Sequence, residues 1–83
     1  MNRHEIEQGI RAFVIEAFLN EEQATELRNS DSLFDLLDSL QVLRLVLRLE
    51  PLFGVTVADE DLTAENLSSI ERVTAFVAHK LET

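Results

Sequence analysis

The apolar residues of the stretch Leu36 to Gly54, LLDSLQVLRLVLRLEPLFG, repeat with a helical period. Val42, Leu45, Val46, Leu49 and Phe53 fall at i, i+3, i+4, i+7 and i+11, which is one face of a 3.6-residue helix and is expected to be core. Leu40, Leu43 and Leu47 form a second apolar stripe beside it, and Gln41, Arg44 and Arg48 lie beyond that stripe. A helix apolar over more than half its circumference is either deeply buried or presents an apolar patch to something else. In a chain of 83 residues, burial on all sides is hard to achieve, so the Leu40/Leu43/Leu47 stripe is a candidate partner surface. The alternative is ordinary core, if a neighbouring loop folds over it. Asp38 is a favoured N-cap with Gln41 three residues on, and Gly54 is a natural terminator. Pro51 interrupts the pattern. An interior proline costs about 3 kcal/mol, so a kink or loosening is expected near Glu50.

Two more helices follow from the same spacing. Asn2 caps a first helix over about residues 3–19, with Glu5 three residues on and Ile6, Ile10, Phe13, Val14, Ala17 and Phe18 at helical intervals. Gly9 lies inside it at a cost of up to about 1 kcal/mol, a placement that admits a close helix contact. Ser68 and Glu71 make a capping box for a last helix ending near Lys80, with Ile70, Val73, Val77 and Leu81 on its apolar face and Phe76 at the edge. Between the first two helices, residues 20–38 form a long connection, extended or with a helical turn around Glu21–Leu27, that Leu27, Leu33, Phe34, Leu36 and Leu37 can pin to the core. Val55 and Val57 read as extended, and Asp59 to Leu67 as a short helix or a pair of turns, with Asp59 and Thr63 as possible caps. The expected fold is all-α: a single-domain, small four-helix bundle of three longer helices and one short helix, with a long loop between helices 1 and 2.

Composition narrows the function. The chain has no Cys, so it has no disulfide, thiolate metal site or catalytic cysteine, and any thiol chemistry needs an imported thiol. No apolar run reaches 18 residues and MNRHEIEQ lacks a signal-peptide core, so no membrane association and a cytoplasmic location are expected. The net charge of −9 argues against nucleic acid or an anionic membrane as partner. The charge is uneven: residues 21–38 set Glu21, Glu22, Glu26, Asp31, Asp35 and Asp38 against Arg28, whereas residues 39–53 set Arg44 and Arg48 against Glu50.

The chemistry-bearing candidate is Ser39. At the first helical position behind Asp38, its hydroxyl lies beside free backbone N–H groups and the positive end of the helix dipole, where a phosphate is stabilised. No motif places a base to activate it. His4 and His79 stand alone near the termini, and the acidic loop residues lack EF-hand spacing, so neither a metal site nor a catalytic residue is expected. Taken by itself, Ser39 also reads as a simple helix-start residue.

Set in order, Leu33-Phe34, Leu37-Asp38-Ser39-Leu40, Leu49-Glu50, Phe53-Gly54-Val55, Asp61-Leu62, Glu65-Asn66-Leu67 and Ser69-Ile70 resemble the acyl and peptidyl carrier protein family over nearly the whole chain. The Asp-Ser-Leu triplet occurs twice, at Asp31-Ser32-Leu33 and Asp38-Ser39-Leu40, but only the second is followed by the long amphipathic helix and the Phe-Gly ending. The resemblance implies that a phosphopantetheinyl transferase attaches 4′-phosphopantetheine from coenzyme A to Ser39, flanked by Asp38 and Leu40 as part of the attachment motif. It further implies that the arm's thiol holds an acyl or aminoacyl group as a thioester, loaded by an acyl- or aminoacyl-activating ligase and passed to a downstream acyltransferase or condensing enzyme. The protein is then expected to be a non-catalytic, stand-alone, monomeric carrier. Its partner surface is expected to include Leu40, Leu43, Arg44, Leu47, Arg48 and Leu67.

Two departures from the family are visible. Leu36 stands where the family commonly has glycine, which is expected to stiffen the approach to Ser39 and slow the transferase. Gln41, Arg44 and Arg48 replace the acidic residues typical of fatty-acid carriers, which points to a specialised partner with an apolar or acidic face and is closer to peptidyl or aminoacyl carriers. Two other classes compete. One is an acidic helical adaptor that binds through Leu40, Leu43 and Leu47 without a prosthetic group. The other is a small hydrolase with Ser39 as nucleophile, for which neither a Gly-x-Ser-x-Gly motif nor a placed His is present.

Overall fold

Three long helices carry the core: α1 (Arg3–Phe18), α4 (Ser39–Phe53) and α6 (Ile70–Glu82). Between them lie α2 (Glu21–Glu26), α3 (Leu33–Leu36), a 3-10 turn (Asp59–Asp61) and α5 (Ala64–Leu67). These come from a computed structural model that describes residues 1–82, and among the described residues there is no strand. The helical stripes meet as their spacing dictates. Ile6, Ile10 and Val14 of α1, Val42, Leu45, Val46 and Leu49 of α4, and Ile70, Val73, Phe76 and Val77 of α6 form one buried cluster. Leu27, Leu33, Leu37, Val55 and Leu67 join it from the connections. The radius of gyration is 11.8 Å, about the value expected for a compact chain of this length. No helix is long and apolar enough to cross a membrane.

Gly9 is where α1 meets the end of α4. A β-carbon at Gly9 would lie 3.2 Å from Phe53 Cζ, so the missing side chain is what lets the ring lie against the helix. Near Glu50, where the sequence predicts a kink or loosening, the chain stays helical. The helix runs unbroken to Phe53 with Pro51 inside it. Leu47 and Pro51 are both exposed, so water can reach the carbonyl that the proline leaves without a donor. Leu49 and Val55, on either side of the last turn, are buried. Gly54, at φ 70°, closes the helix by donating its N–H to Glu50 O at 2.8 Å. The Glu50 carboxylate in turn accepts the Val57 N–H at 2.9 Å.

The long first connection holds more structure than a loop. Asn20 and Gln23 form a reciprocal capping box and start α2, which realises the helical alternative for Glu21–Leu27. The last helix is capped by Ser69, whose Oγ accepts the Arg72 N–H at 3.1 Å, and not by Ser68. Ser68 instead closes α5, and its carbonyl accepts the Leu33 N–H at 2.7 Å. Thr63 caps α5 as expected. Asp59 caps nothing: Asp61 takes that part by accepting the Ala58 N–H at 2.9 Å. On α6, Phe76 is buried while Leu81 is exposed, the reverse of their expected places.

Candidate functional site

Ser39 begins α4, and both of its neighbours along the chain are fixed. Leu37, two residues before it, is buried, and its N–H closes α3 on Leu33 O at 2.8 Å. Val42, three residues after it, is buried in the core. Between these anchors Asp38 takes an extended conformation (φ −79°, ψ 173°) and caps the helix. Its Oδ1 accepts the Gln41 N–H at 2.8 Å, and the Gln41 side chain accepts the Asp38 N–H at 3.0 Å. The Asp38 carbonyl accepts the Val42 N–H at 3.0 Å. That leaves the N–H groups of Ser39 and Leu40 pointing out of the first turn with no intramolecular acceptor. The Ser39 side chain is exposed, and its hydroxyl makes no hydrogen bond to any described residue.

The connection that leads to Ser39 is held down by a residue of α1. Arg11 Nη1 donates to Asn29 Oδ1 at 2.8 Å and Nη2 to Leu27 O at 2.9 Å. Asn29 O accepts the Glu71 N–H at 3.0 Å, and Asp31 Oδ2 accepts the Arg28 N–H at 2.9 Å. Sequence reasoning passed over Arg11, because nothing in residue spacing links position 11 to position 29. Leu36 lies within α3, half-buried against the core, and no non-glycine residue among those described has a positive φ. Leucine at position 36 therefore introduces no backbone strain.

The second apolar stripe is on the outside. Leu40, Leu43 and Leu47 are 65%, 46% and 59% exposed, so the connection does not fold over them. Arg44 and Arg48 are also exposed, and each lies over an aromatic ring of α1. Arg44 Cζ is 5.4 Å from the Phe18 ring centroid and Arg48 Cζ is 5.9 Å from that of Phe13. Leu67 does not belong to this surface. It is buried as the apolar residue with which the four-residue α5 packs on the core, and only 6% of it is accessible to a partner. Phe34, at 47% exposure, adds an apolar group on the approach to Ser39.

Elsewhere, Lys80 Nζ lies 2.7 Å from Asp61 Oδ2, tying the 3-10 turn to α6. That hydrogen bond to Lys80, followed by the one from Ala58 N–H, holds the Asp61 carboxyl below the usual carboxylate range. His4 and His79 are exposed.

The phosphopantetheine attachment site family matches residues 13–77, most of the chain and all of α2 through α5. The chain belongs to that family. Its domains are generally non-catalytic carriers, and their prosthetic group is covalently attached 4′-phosphopantetheine. No curated protein matches the chain in a sequence comparison. The start of α4 suits this group on three counts. It offers an unengaged hydroxyl, two N–H groups without an acceptor that favour a phosphate, and exposure of Asp38, Ser39 and Leu40 alike.

Proposed function

We propose that Ser39 is the attachment point and that this protein carries acyl or aminoacyl groups between biosynthetic enzymes while catalysing nothing itself. The observation that carries this reading is the free Ser39 hydroxyl at the capped start of α4, inside the stretch that matches the family. When attached, the arm supplies a thiol that can hold a thioester, a group the chain lacks because it has no Cys. The chain's own residues do the rest. Asp38 and Gln41 hold the turn so that the hydroxyl faces outward. The N–H groups of Ser39 and Leu40 stabilise the negative charge of a phosphodiester. No side chain of the described residues hydrogen-bonds the Ser39 hydroxyl, so the transferase supplies the base.

Ser32, the serine of the first Asp-Ser-Leu triplet, is the weaker candidate. It is half-buried and precedes a helix of only four residues. Residues 1–82 share one core and act as one carrier unit. The cargo class and the loading ligase are left to the partners, and a cytoplasmic setting suits the acidic chain. A second reading, an adaptor without a prosthetic group, draws on the exposure of Leu40, Leu43 and Leu47. Intact mass after incubation with coenzyme A and a broad-specificity phosphopantetheinyl transferase separates the two. A carrier gains one phosphopantetheine and loses that gain on Ser39→Ala, whereas an adaptor gains nothing while a control carrier is fully modified.

A further inference from the structure

The most unusual surface of this acidic chain is cationic. Arg44 and Arg48 are one helical turn apart on α4, a like-charge pair that is mildly unfavourable by itself. The chain has 16 acidic residues, yet neither guanidinium has a carboxylate within ion-pair distance among the described residues. Each is instead held over a ring. Phe13 and Phe18 meet edge to face with centroids 5.5 Å apart, so Arg44, Phe18, Phe13 and Arg48 form one continuous row of contacts across α1 and α4. A guanidinium laid on a ring is oriented while its N–H edges stay available, which lowers the entropy lost when a carboxylate binds it. Glu50, the one acid within α4, is turned away onto the Val57 N–H and does not neutralise the pair.

Beside these rings is a shallow, open groove of about 360 Å³ lined by Phe13, Arg44, Leu47, Arg48 and Pro51. Leu47, which lines it, is also part of the exposed Leu40/Leu43/Leu47 stripe. At about 1.5 Å per residue, Leu47 lies about 12 Å along the axis from Ser39. A protein bound there therefore sits close to anything attached to that serine.

We propose that this groove receives a segment of a partner protein that inserts an apolar side chain between Phe13 and Leu47 and pairs its flanking Asp or Glu carboxylates with Arg44 and Arg48. Charge complementarity decides the partner. Two oriented, unpaired cations around an apolar depression select a carboxylate-rimmed apolar knob, and they reject a basic surface that the rest of the chain would attract. Only the identification of the partner as an enzyme acting on the carried group rests on the carrier reading.

The probe is a pair of synthetic amphipathic helical peptides with the same leucine stripe, one flanked by Glu and the other by Lys. Each is titrated into isotope-labelled protein and followed by amide shifts. The Glu peptide should move amides in residues 13–18 and 40–51 and weaken as salt is raised. Arg44→Gln/Arg48→Gln should weaken it at least tenfold, and Arg44→Glu/Arg48→Glu should transfer the preference to the Lys peptide. The Gln variant, checked for an unchanged helical spectrum, guards against the Glu variant failing to fold. Shifts outside this surface, equal response to both peptides there, no shift at millimolar peptide, or indifference to the Gln variant would each overturn the proposal. Equal movement of the same amides by a short oligonucleotide would overturn the choice of a protein partner. Repeating the titration on Ser39→Ala keeps the two readings apart, because peptide binding does not depend on attachment at Ser39.

Discussion

Gly9 and Phe53 are matched: the ring lies so close to the helix backbone that any side chain at position 9 meets it, with a β-carbon 3.2 Å from Phe53 Cζ. Gly9→Val is expected to destabilise the protein by about 1–3 kcal/mol in urea unfolding through overpacking. Phe53→Leu in the same chain should recover part of that loss, giving a coupling between the two positions. Strict additivity of the two substitutions would mean that the ring does not feel position 9.

Arg11 fastens the approach to Ser39 from a distance. Its two hydrogen bonds, to Asn29 Oδ1 and Leu27 O, make Arg11→Ala a loss of about 1–3 kcal/mol. Faster hydrogen exchange at the Leu33 and Glu71 amides should accompany it, since these bond Ser68 O and Asn29 O across the same seam. Arg11→Lys cannot make both bonds and should fall between. Unchanged exchange at those two amides in Arg11→Ala would show that the seam does not depend on the guanidinium.

The Asp61–Lys80 pair gives stability a pH signature. Because the folded carboxyl titrates below its ordinary value of 3.8, its contribution is present above that pH and is lost as pH falls through the lower, folded value. Asp61→Asn should therefore lower the Tm at pH 7, and the two proteins should converge once the pH has fallen below the lowered folded value. A constant Tm difference across the acid range would mean that the carboxylate charge is not what stabilises the turn.

Position 36 separates backbone need from family habit. Leu36 is half-buried in a right-handed helical turn, where glycine offers no conformational advantage. Leu36→Gly is expected to cost about 1 kcal/mol from helix propensity, plus lost packing. Thermal unfolding of the variant checks this, and a raised Tm would contradict it.

The three long helices were legible because their apolar residues repeat at i, i+3 and i+4 and because Asn2/Glu5 and Asp38/Gln41 mark two of their starts. The candidate serine was legible for the same reason, since the capping signature fixes where α4 begins. What escaped the sequence depends on distant contacts. Pro51 carries a local penalty, yet with Leu49 and Val55 buried on either side of the last turn the chain stays helical to Phe53. Ser68 and Ser69 are adjacent, and it takes the bond from Arg72 N–H to Ser69 Oγ to show which one caps α6. Leu67 matched the family motif, yet it points into the core because α5 is too short to bury any other residue. The stacking of Arg44 and Arg48 on Phe18 and Phe13 joins residues about thirty positions apart, which no local pattern announces.

The most direct test of the carrier reading is to locate the added group. Cleavage after Arg28 and Arg44 releases residues 29–44, which hold Ser30, Ser32 and Ser39 together, so the fragment must itself be fragmented by mass spectrometry. After treatment with coenzyme A and the transferase, one phosphopantetheine on Ser39, with Ser30 and Ser32 unmodified, is the predicted result. The same group on Ser32 or Ser30, or none on any of the three while a control carrier is fully modified, would contradict it.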